Sequence, residues 1–175
     1  MEEPGSIYLF NLSLIAMTFT AVSALVMFLR QTMGGKLSNF DIYLITSFIS
    51  FGFAQSLSAI LPPLISLFEL PSEAHWALSS GLAAILLGFV AVNVMRLRRT
   101  ASSEPKSLGV KFSFSLQGLA VIALIANAVV WPWQGVHLFA AALTLSLAAV
   151  MWAFARRIAS LFGDKPGEDW DPKRG

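Results

Sequence analysis

The residues with the widest chemical repertoire in this chain are His75 and His137, with Glu69 and Glu73 close to the first of them. Two imidazoles and two carboxylates form a ligand set that zinc or another divalent ion accepts, and two histidines on separate helices can also hold a haem. The spacing is loose. Compact metal motifs such as H-E-x-x-H put their ligands on adjoining turns, and no such motif occurs here. Each histidine opens an apolar stretch, where a place at a membrane interface is the ordinary expectation. A metal or haem site at these four residues therefore ranks third among the functional expectations.

Other chemistry is narrowed by what the chain lacks. It has no cysteine, which removes disulfides, thiolate nucleophiles, cysteine-ligated zinc and iron–sulfur clusters. There is no G-x-S-x-G elbow, no P-loop and no aspartate pair in an apolar stretch. No lysine stands inside such a stretch to carry retinal. Ser79-Ser80-Gly81 offers hydroxyls, but close helix packing accounts for small residues there. No catalytic residue and no cofactor are expected, and the chain is not expected to be an enzyme.

What remains are five amides in apolar surroundings: Asn11, Gln55, Asn93, Gln117 and Asn127. An amide in hydrocarbon is costly unless bonded, so these side chains should face inward. They can act as hydrogen-bonding glue between helices or as the polar lining of a path. Their spread over depth favours glue. No charge lies in the middle of any apolar stretch, whereas ion-coupled transporters and proton relays usually keep one. Asp41 comes nearest, and it reads as a first-turn acid favoured by the helix dipole.

The elements that hold these residues follow from composition. Of 175 residues 56% are hydrophobic and only 13% charged, with mean hydropathy +0.70; soluble domains carry about 25% charge. The charges cluster between long apolar runs, the pattern of a polytopic membrane protein. The acidic start, Met1-Glu2-Glu3, does not read as a signal peptide. Five crossings are expected at about 7–29, 41–61, 75–95, 110–130 and 136–155, within one all-α transmembrane domain over 1–162. Residues 163–175 read as a disordered cytoplasmic tail. Pro62-Pro63 falls where a helix begun at Asp41 has already spanned roughly 31 Å, so the second crossing is expected to stop there. Residues 64–70 would then form a short interfacial or re-entrant piece.

Charge assigns the sides. Arg30 and Lys36, then Arg96, Arg98 and Arg99, then Arg156 and Arg157 fall on one side, while Glu2, Glu3, Glu69 and Glu73 fall on the other. The positive-inside rule puts the N-terminus outside and the C-terminus in the cytoplasm, in a membrane such as the bacterial inner membrane. The arginines can also meet lipid headgroups, and nothing suggests nucleic acid as a partner. Tyr8, Trp76, Trp131 and Trp133 at one set of ends, and Tyr43 and Trp152 at the other, read as interfacial aromatic belts.

Small residues at spacing four mark packing seams: Ala16, Thr20 and Ala24 on helix one, and Ser80, Ala84 and Gly88 on helix three. Further seams run through Ser47, Ser50, Ala54 and Ser58, and through Ala142, Ser146, Ala149 and Ala153. No stretch carries the motif of a known family. The leading functional expectation is a non-enzymatic accessory, scaffold or interaction subunit. It would be set in the lipid bilayer and pack against itself or a larger membrane protein. The alternative is an oligomeric conduit for a small uncharged solute or ion.

Overall fold

Long apolar runs cannot leave backbone N–H and C=O groups unbonded in hydrocarbon, so they coil into helices. A computed structural model describes residues 5–32, 39–101, 108–130 and 135–163. It contains α1 (Ser6–Thr32), α2 (Asn39–Ile65), α3 (Ser72–Ala101), α4 (Leu108–Val129) and α5 (Val136–Gly163), with a 3-10 turn at Ser66–Phe68 after α2. The segments Ser6–Leu29, Ile42–Phe68, Ser72–Arg99, Lys111–Val129 and Val136–Arg156 are each long and apolar enough to cross a membrane. The chain is a multi-pass integral membrane protein with an all-α bundle of five candidate spans. α1 and α2 have 27 residues each, roughly 40 Å, against a hydrocarbon core of about 30 Å. Their ends therefore reach the headgroup layers.

The helices run antiparallel in sequence, α1 on α2, α2 on α3, α3 on α4 and α4 on α5. α5 closes the ring on α1 and also meets α2 across the middle. α4 is peripheral, packing mainly on α3 and α5. One core cluster joins Leu9, Leu12, Ala16, Leu87, Leu124, Phe139 and Leu143. A second, aromatic one lies toward the arginine-bearing end of α3. There Phe19 and Phe48 each meet Phe154 edge to face at 5.1 Å, which ties α1, α2 and α5 together.

Two expectations are corrected. First, α2 does not stop at the double proline: both rings lie inside the helix, which continues to Ile65. The missing N–H groups cost the bonds to the Ser58 and Ala59 carbonyls, but they fall in the final turns, where the last carbonyls find side-chain donors. His75 Nε2 lies 2.8 Å from the Pro62 oxygen, and Ser66 Oγ donates to the Pro63 oxygen at 2.7 Å. Transmembrane helices tolerate proline where such groups supply bonds. Second, Trp76 and Tyr43 are core residues rather than belt residues. Trp76 packs 5.8 Å from the ring of Phe139, and Tyr43 belongs to the aromatic cluster. Tyr8 and Trp152 are exposed, as a belt requires, while Trp131 and Trp133 lie outside the described residues. α3 and α5 continue beyond the apolar stretches, to Ala101 and Gly163.

Candidate functional site

Asn127, wholly buried, joins three helices. Its Nδ2 donates to Ser80 Oγ on α3 at 2.7 Å and to the Gly135 carbonyl before α5 at 3.3 Å. Its Oδ1 accepts the Gly135 N–H at 3.1 Å. Both amide hydrogens and the oxygen are used, and Gly135, just before α5, is tied through Asn127 to Ser80 on α3. Gln55 joins α2 to α5 through Nε2, which donates to the Leu143 carbonyl at 2.6 Å. Ser13 and Ser56 pair at 2.7 Å between α1 and α2. Tyr8 and Thr144 pair at 2.6 Å between α1 and α5.

Gln117 differs: it is buried on α4, and among the described residues neither its nitrogen nor its oxygen has a partner. Gln55 Oε1, Ser58 Oγ, Ser113 Oγ and Ser146 Oγ are also buried and unbonded. Asn93 is half-buried and Asn11 is exposed, which corrects the expectation that all five amides turn inward. Asn11 sits in the second turn of α1, near enough to the helix end to reach headgroups and water. An apolar groove of about 550 Å³ opens between α2 and α3, with Phe53, Leu57, Leu86 and Val90 in its lining. None of the five amides lines it.

The histidines and glutamates are not brought together. His75 is buried and turned to the Pro62 carbonyl, where its ring N–H must be the donor, since a carbonyl only accepts. His137, Glu69 and Glu73 are exposed. Glu69 takes a left-handed conformation (φ 52°) that ends the 3-10 turn. Among the described residues no group of three or more histidines and acids is placed to hold a metal ion.

The seams stand in close packing. Ala16, Thr20, Ser80 and Ala84 are buried, with Ala24 and Gly88 half-buried. On the other two seams Ser47, Ala54, Ser58, Ala142, Ser146 and Ala149 are buried. Among the described glycines the tightest approach lies at Gly52, which the small-residue spacing does not pick out. A Cβ there would overlap Thr20 Oγ1 and lie 3.4 Å from the Ala16 carbonyl. The signal was present as a lone glycine between Phe51 and Phe53, facing the Ala16–Thr20 seam. Arg96, Arg99 and Arg156 are exposed, and Arg98 is half-buried. Lys36 and residues 164–175 lie outside the described residues, as do the side chains of Arg30 and Arg157.

No family model, curated protein or solved structure matches this chain.

Proposed function

We propose that this chain is a non-enzymatic accessory or scaffold subunit of a membrane, inserted with its N-terminus outside and its C-terminus in the cytoplasm. The observation that carries the reading is Asn127, whose every amide group is spent on holding α3, α4 and α5 together. Gln55 and the Ser13–Ser56 pair also spend polar groups across helix contacts. A conduit needs such groups turned to a shared path, and the apolar lining of the α2/α3 groove offers none of the five amides. The bacterial inner membrane fits the charge asymmetry: Arg96, Arg98, Arg99 and Arg156 stand at the ends opposite Glu69 and Glu73. The conduit reading keeps one support, the unbonded amide of Gln117.

Native mass spectrometry of the protein, gently extracted from its own membrane, tests the reading together with an absorption spectrum. A stoichiometric protein partner supports a subunit role. A bare homo-oligomer that passes small solutes in liposome flux assays replaces it with the conduit. A Soret band or a bound metal ion replaces it with a centre at His75 and His137.

A further inference from the structure

We propose that the outer flank of the α3/α4 seam, at the basic end of the bundle, holds one anionic phospholipid. Its phosphate lies between Arg99 and Lys111, and one acyl chain occupies the gap left open by Gly88 and Gly118. Eleven residues separate Gly88 from Arg99 on α3, which at about 100° per residue places them within about 20° of one stripe. Seven residues separate Lys111 from Gly118 on α4, again within about 20°. Gly88 looks toward α4, where a Cβ built on it would lie 4.0 Å from Val121 Cγ1. That contact and the Ser80–Asn127 bond set the register of the two helices. Continued toward the basic end, the register brings Arg99 level with the first turn of α4, where Lys111 stands.

Side chains lean toward the N-terminus of their own helix. Arg99 therefore leans back along α3 into the membrane, and Lys111 leans toward the membrane surface, so their reaches overlap. Both are exposed. Gly118 is exposed too, and a Cβ there would meet nothing within 4 Å. The flank is thus bare at Gly118, and at Gly88 the facing side chain, Val121, stands off at 4.0 Å from where a Cβ would lie. Val92 and Ile122, one turn along each helix, are exposed and apolar. α4 is the least buried of the five spans, so lipid has access along this flank.

Two cations side by side at a membrane surface call for an anion. The acids whose side chains are described, Glu69 and Glu73, stand at the opposite end. Asp41 belongs to α2, which packs on the other side of α3: Val90, in the wall of the α2/α3 groove, is about 180° round α3 from Arg99. Glu104, in the segment joining α3 to α4, is the rival anion within the chain. A phosphodiester matches the pair through charge-assisted hydrogen bonds from the guanidinium fork and the ammonium.

The test uses the full chain in nanodiscs of dioleoyl phosphatidylcholine with or without dioleoyl phosphatidylglycerol, reading retained lipid by native mass spectrometry and the unfolding temperature. The wild type should retain one phosphatidylglycerol and unfold at a higher temperature when that lipid is present. Arg99→Gln and Lys111→Gln should each weaken retention roughly fivefold, while Arg96→Gln, on another stripe, should not. Gly118→Leu, which keeps the charges but fills the gap, should lose the dioleoyl lipid and still respond to dihexanoyl phosphatidylglycerol. Unchanged retention in the Arg99→Gln, Lys111→Gln double variant overturns the proposal. So does equal protection by inorganic phosphate, or retention that appears only in Glu104→Gln.

Discussion

Asn127 and Gln117 lie ten residues apart on the same buried face of α4, and their amides meet opposite fates. Asn127 makes three bonds to Ser80 and Gly135, and Gln117 makes none among the described residues. Replacing Asn127 by leucine removes the amide donor to Ser80 Oγ and the acceptor of the Gly135 N–H, while the Gly135 carbonyl keeps the Phe139 N–H at 3.4 Å. The expected loss is about 2 kcal/mol of stability, measured by unfolding in mixed micelles. Gln117→Met removes two unbonded polar atoms at nearly constant volume. Stability should hold or rise by about 1 kcal/mol. A fall of that size would show that Gln117 has a bonding partner in the membrane. His75 belongs at this scale too. Without its ring N–H the Pro62 carbonyl is uncapped, so His75→Leu should speed amide exchange at Leu64 and Ile65 while leaving the middle of α2 protected.

At the scale of elements, the α1/α2 contact depends on the absence of one methyl group. Gly52 lets Thr20 and the Ala16 backbone close on α2, the small-residue mode by which helices associate where no water is expelled. Gly52→Ala should cost about 2 kcal/mol by overpacking. Thr20→Ala, which vacates the space the new Cβ needs, should restore much of that loss in the double variant, so the two effects should be non-additive. A fully additive pair would place the cost elsewhere. The Gly88 contact with Val121 is ordinary by comparison, and Gly88→Ala should be nearly neutral. The echoing small residues of α3 therefore do not predict equal tightness. Spacing identifies a stripe, but the partner's side chains decide how closely it is approached.

For the whole molecule, five candidate spans carry the described basic residues to one end and the described acids to the other. Changing Arg96, Arg98 and Arg99 together to glutamine should weaken the orientation signal. Reporter fusions in the 102–107 segment read it: a cytoplasmic reporter in the wild type should become mixed in the variant, and an outer reporter in the wild type would reverse the proposed orientation. The number of candidate spans was legible because it depends on local quantities, namely run length, charge gaps and the need of every backbone group for a bond in hydrocarbon. The Asn127 glue was legible as an amide in an apolar run, though not its partners. What the linear order does not contain is the rotation of each helix about its axis and the register between neighbours, which are set by packing among residues far apart in the chain. Those decided that α2 runs through Pro62 and Pro63 with His75 as donor, that Trp76 and Tyr43 lie inside, that Asn11 faces out, and that Gly52 is approached more closely than Gly88.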